Sequence, residues 1–121
     1  MKARKRIYVC GPYSCEGHCK PLGVDLEYMR KGLEASVAIL KMGYAPFCPW
    51  LDYIFQFVSG GAGLDRKGYY EYSMAWLEVA DIVYVIELRE NSHGTKAEID
   101  RAMELGIPVV YSIEEVKEYG I

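Results

Sequence analysis

The stretch from Asp81 to Tyr111 constrains the fold more than any other. Asp81-Ile82-Val83-Tyr84-Val85-Ile86 is a β-branched and aromatic run of strand length. A polar, glycine-containing loop, Glu90-Asn91-Ser92-His93-Gly94, follows it. From about Gly94 to Leu105 the chain reads as a helix that stops at Gly106, and Ile107 to Tyr111 is strand-like again. Strand, helix and strand in this order form a parallel βαβ unit with a right-handed crossover. In open sheets of such units, ligands lie beyond the carboxyl ends of the strands, where loops and helix N-termini converge. Glu98 stands in the first turns of that helix, so a candidate nucleophile lies beside a candidate anion site.

The remainder of the chain continues the alternation. Arg6 to Cys10 reads as a buried first strand broken by Gly11-Pro12, and Tyr13 to Gly23 is a long polar loop. Asp25, a plausible N-cap, opens a helix to Met42, with Leu26, Met29, Leu33, Val37 and Leu40 as its apolar face and Gly43 as its stop. Tyr44 to Phe47 is a short second strand that Pro49 prevents from running on. Trp50 to Val58 is aromatic and ambiguous, and Ser59 to Gly63 reads as a mobile loop over the site. Lys67 to Ala80 is a further helix. The last helix has Ser112 as its cap and Glu115 in the capping-box position. The expectation is an α/β fold: one domain, residues 1–121, with a small doubly wound, flavodoxin-like or Rossmann-like parallel sheet of about four strands flanked by helices.

Composition narrows the function classes. The chain has 121 residues, 51% of them hydrophobic, which suits a globular core. A net charge of -3 argues against a surface that neutralises a nucleic-acid polymer, while a nest of amides can still hold a small anion. No apolar run is long enough to span a bilayer. The basic start, Lys2 to Arg6, precedes only Ile7-Tyr8-Val9-Cys10, too short for a signal-peptide core, so a cytoplasmic location is expected. Cys15, His18 and Cys19 raise a zinc question, but the only other histidine is His93 and the ligand set is incomplete. No metal is expected, and Cys10 and Cys48, like the other two cysteines, read as reduced thiols. Neither G-x-x-x-x-G-K-[ST] nor G-x-G-x-x-G is present, and Tyr13-Ser14-Cys15 offers little to a flavin phosphate, so no cofactor is expected.

Three loops leave the carboxyl ends of strands: Gly11 to Gly23, Cys48 to Arg66 and Leu88 to Gly94. The first two are longer than a packed connection needs, and such loops are usually functional. Trp50, Tyr53, Phe55 and Phe57 either face a planar heterocycle or cap the core. Ser92 either caps the helix that follows or, with its amides and Lys96, holds a phosphate. Glu98 either pairs with Arg101 on the helix surface or aims into the cleft.

Four segments together resemble the nucleoside 2-deoxyribosyltransferase-like superfamily. They are Tyr8-Val9-Cys10-Gly11-Pro12-Tyr13, Gly43-Tyr44-Ala45-Pro46-Phe47 ahead of Pro49, Trp76-Leu77 leading to Ala80-Asp81, and Asn91-Ser92-His93-Gly94 with Glu98. The resemblance runs to about Val110 and is nearest the small nucleotide N-glycosidase-like branch with an S-x-G-x-x-x-E loop and helix. It implies that Glu98 attacks the anomeric carbon while the base leaves, and that water or a second base resolves the glycosyl ester. It implies that Tyr8 orients Glu98 and that Gly11, Pro12 and Tyr13 line the sugar side, with Gly94 in the loop and Trp50 or Tyr53 at the base. Ser92 falls where nucleoside-specific members carry an acid, and a hydroxyl there suits a 5′-phosphate. Ser73 stands where the family commonly has an aspartate, and serine cannot act as a general acid at neutral pH. The resemblance further implies a homo-oligomer. The expected activity is hydrolysis or transfer at the N-glycosidic bond of a nucleoside 5′-monophosphate or nucleoside; the alternative is a non-catalytic nucleotide sensor.

Overall fold

The structure is a computed structural model that describes residues 4–12, 26–58, 63, 65–87 and 93–120. Its core is a sheet of four parallel strands: β1 (Arg6–Cys10), β2 (Ala45–Phe47), β3 (Ile82–Val85) and β4 (Val109–Val110). Their order across the sheet is β2-β1-β3-β4, so the chain winds outward in both directions from β1 and β3. This is the α/β doubly wound architecture expected from the sequence. Register is set at the amino ends, where Arg6 N donates to Asp81 Oδ2 and Asp81 N donates to the Arg6 carbonyl, each at 2.8 Å.

Among the described residues four helices cover the sheet: α1 (Leu26–Lys41), α2 (Arg66–Leu77), α3 (His93–Glu104) and α4 (Ile113–Gly120). The aromatic stretch that the sequence left ambiguous is a 3-10 helix, Pro49–Phe57, with proline in its first turn. Asp65 caps α2 by accepting from Gly68 N at 2.8 Å. The capping box of α4 forms as its sequence suggests: Glu115 N donates to Ser112 Oγ at 3.2 Å, and the Glu115 carboxylate accepts from Tyr111 N. No helix among the described residues is long and apolar enough to cross a membrane.

Side-chain alternation along β1 divides the interior in two. Ile7 and Val9 face one layer of helices and join Ile39, Cys48, Trp50, Ile82, Val110 and Val116. Tyr8 and Cys10 face the other layer and join Leu77, Val83, Val85 and Ala102. α1 and α4 therefore cover the first face, α2 and α3 the second.

The apolar face expected for α1 is not the one it buries. Leu26, Leu33, Val37 and Leu40 are exposed, whereas Tyr28, Gly32, Ser36 and Ile39 turn inward. The reason is Trp50. Its indole fills the space between α1 and the sheet so tightly that a Cβ on Gly32 would lie 2.3 Å from the ring. Only small residues fit the turn beneath it, so size overrides hydrophobic spacing.

Candidate active site

β1 delivers two polar side chains to the α2/α3 face at its carboxyl end. Tyr8 and Cys10, two residues apart, share that face and are both 0% exposed. Glu98 reaches them from the second turn of α3. Burial pushes the Glu98 carboxyl from its ordinary 4.5 up to about 7, while the Tyr8 hydroxyl and Cys10 thiol act against that rise. The influence is mutual: burial first and Glu98 second push the Tyr8 phenol and the Cys10 thiol to titrate well above their usual range, so both stay protonated.

The constellation is close but incompletely bonded. Glu98 Oε2 and Tyr8 Oη are both buried, and neither has a hydrogen bond of proper geometry. Buried polar atoms without partners cost free energy, so a water or a ligand that supplies the missing hydrogen bonds would be favoured there. Arg101 is not that partner, since its guanidinium is taken by Glu78 at 2.8 Å and Glu104 at 3.0 Å. Of the two sequence readings of Glu98, a solvated pair with Arg101 is overturned.

α2 supplies the opposite wall. The Ser73 hydroxyl lies beside Tyr8 and favours its ionised form, and the charge on Glu98 reaches the Tyr70 phenol. Phe47, from the end of β2, stacks on Tyr8 at 5.5 Å and on Trp76 at 5.7 Å, and meets Tyr72 at 5.9 Å. A pocket of about 240 Å³ opens next to these rings, lined by Phe47, Phe55, Tyr72 and the buried Asp52 among others.

The residues expected at the site divide into three groups. Tyr8, Ser73 and Glu98 come together. Gly11 and Pro12 follow β1 and pack toward Trp50 on the opposite face, and Gly11 is demanded by packing, because a Cβ there would lie 2.7 Å from Ile86 and 3.3 Å from Trp50. Gly94 is exposed at the start of α3, and a Cβ there would meet nothing within 4 Å. Trp50 and Tyr53 belong to the opposite face: Trp50 is 1% exposed, its indole N–H donates to the Pro12 carbonyl at 3.1 Å, and Tyr53 packs against the same cluster. Trp50 therefore anchors the loop after β1 from behind the sheet and offers no face to a ligand, which corrects its expected place at the base. Tyr13, Ser92, the Cys15-His18-Cys19 group and most of the Ser59 to Gly63 loop lie outside the described residues.

Sequence reasoning missed Cys10, Tyr70 and Phe47. The period of two from Tyr8 to Cys10 carried the signal for the first; Phe47 is brought in by its register opposite Tyr8 in the β1–β2 pair, and Tyr70 by the packing of α2 over that face.

This fold is shared with a solved enzyme, a 2-deoxyribosyltransferase from the psychrotolerant bacterium Bacillus psychrosaccharolyticus. The two superpose with a TM-score of 0.63 at 21% identity, over 87% of this chain and 70% of that one. The chain itself belongs to the family described as a domain of unknown function, DUF7768, whose model matches residues 5–112. No curated protein matches the chain.

Proposed function

We propose that this protein cleaves or exchanges the N-glycosidic bond of a nucleoside 5′-monophosphate or nucleoside, with Glu98 as nucleophile. The observation that carries this reading is the buried, unpartnered Glu98 carboxylate beside Tyr8 at the carboxyl end of β1. The enzyme that shares the fold is a 2-deoxyribosyltransferase, which supports the same bond as the target.

The chemistry follows from the site. A carboxylate oxygen of Glu98 forms a bond to the anomeric carbon as the carbon–nitrogen bond to the base breaks. The departing nitrogen takes its proton from solvent, because Ser73 has none to give at neutral pH. Water, or a second base, then displaces Glu98 with overall retention of configuration. Only ionised Glu98 can attack, and a value near 7 leaves about half of it ionised at neutral pH. Tyr8 and Cys10 are what keep that fraction from being smaller. Lys96, in the first turn of α3, suits the 5′-phosphate, and a serine hydroxyl at position 92 of the sequence would suit it too.

Ser73 also favours a second reading, a nucleotide sensor that binds without turnover. One experiment separates the two. The protein and its Glu98→Ala variant are incubated with ribo- and deoxyribonucleoside 5′-monophosphates and the parent nucleosides, and free base is followed by chromatography. Base release lost in the variant supports the glycosidase. Binding without release from any substrate supports the sensor, and neither binding nor release overturns both.

A further inference from the structure

Tyr8 and Cys10, alternate residues of β1, both favour the ionised Glu98 carboxyl, yet neither closes a hydrogen bond on its buried Oε2. Cys10 Sγ lies 3.9 Å from the Thr95 carbonyl, toward which it points its proton. Thr95 is three residues before Glu98, so the thiol sits directly beneath the turn of α3 that presents the carboxylate. Thr95 is itself 2% exposed, so the contact is dry. A thiol is a weak donor, and the Thr95 carbonyl, inside a helix, already has a backbone partner to serve. Glu98, by contrast, offers an oxygen that lacks a proper hydrogen bond.

We propose that Cys10 is a positioning residue for Glu98, its thiol proton swinging between the Thr95 carbonyl when the carboxyl is neutral and the carboxylate when it is ionised. This inference rests on Glu98 being the group that must ionise in the cleft. Tyr8 and Cys10 then form a two-donor cradle from alternate residues of β1, closing on the carboxylate from below while the substrate approaches from above. Among the described residues, the titratable groups that face Glu98 are Tyr8 and Cys10 from β1 and Tyr70 from α2. None of the three carries a positive charge, so among them it is hydrogen bonding that supports the ionised state.

A pair of substitutions isolates the donor. Cys10→Ala and Cys10→Ser leave side chains of nearly equal volume, so they share any packing loss, and only serine can donate. The Glu98 carboxyl is titrated directly by carbon NMR, which needs no turnover, and base release is measured across the same pH range. The expected result is a Glu98 titration moved upward in Cys10→Ala and returned to wild type or below it in Cys10→Ser. At pH 6 base release then falls in the alanine variant by about tenfold for each unit of that shift, with the loss vanishing at high pH. Coincident titrations in the two variants would overturn the proposal. If Cys10→Ala does not fold, Cys10→Val is the donor-free comparison. A shift in the titration with no base release even from wild type would leave Cys10 in its role and remove the glycosidase reading instead.

Discussion

The two faces of the sheet are built from alternate residues of the same strand, and they obey opposite rules. On the α1/α4 side, Ile7 and Val9 pack against Ile39 and Trp50, and the one buried N–H of Trp50 is satisfied by the Pro12 carbonyl. On the α2/α3 side, Tyr8 and Glu98 keep unsatisfied polar atoms in the interior. The first face spends its residues on cohesion. The second holds groups whose burial costs stability, and such costs persist where a site needs them. Trp50 also ties that face to the end of β1, since it packs there while its indole holds the Pro12 carbonyl.

The largest expected effect is on chemistry. Glu98→Ala abolishes base release, by about a thousandfold or more, because the nucleophile has no substitute. Its circular dichroism spectrum stays that of wild type; a variant that is unfolded, or one that still turns over, would break the contrast between the faces.

Next comes the dry face. Trp50→Ala lowers unfolding free energy by about 3–5 kcal/mol in denaturant titration, the usual cost of emptying a large aromatic from a core. Gly32→Ala is expected to destabilise as well, by about 1–3 kcal/mol, although alanine is the better helix former, because its methyl would occupy the Trp50 ring. A stabilised Gly32→Ala protein would show that the indole can move aside.

The polar face should also declare itself in the pH dependence of stability. The folded Glu98 value, about 7, exceeds its ordinary 4.5. The folded state therefore binds the extra proton between these values, and stability falls as pH rises through this window. The full penalty, roughly 3 kcal/mol for a shift of this size, is reached above pH 7. Activity runs the other way, rising as Glu98 ionises. The Glu98→Gln variant should lose this part of the stability profile, which urea melts at pH 4.5 and 7.5 would reveal.

Tyr8→Phe is the finest test. It removes a buried hydroxyl that lacks a hydrogen bond, so stability should hold or rise by up to about 1 kcal/mol while base release drops. Equal losses of stability and activity would mean that the hydroxyl is structural.

Much of this architecture was legible in the chain. Strand and helix alternation, the capping box at Ser112 and Glu115, and the glycine stops rest on local chemistry that each segment carries within itself. The loop before α3 and Glu98 could be read as a site for the same reason: the position beyond a strand end follows from the order of elements. Tyr8 and Cys10 fall on one face by strand periodicity alone.

Tertiary structure decided the rest. Which side of α1 turns inward was settled by the bulk of Trp50, which lies outside that helix and packs on Gly32, and spacing of leucines could not foresee it. Whether Glu98 pairs with Arg101 or enters the interior depended on Glu78, contributed by the end of α2, which captures the guanidinium. The upward shift of the Glu98 carboxyl, the two donors beside it and the stacking of Phe47 on Tyr8 arise only where β1, β2, α2 and α3 meet. Local sequence specifies conformation because backbone preference is a property of neighbouring residues; burial and electrostatics are properties of what the fold brings alongside, and they belong to the assembled molecule.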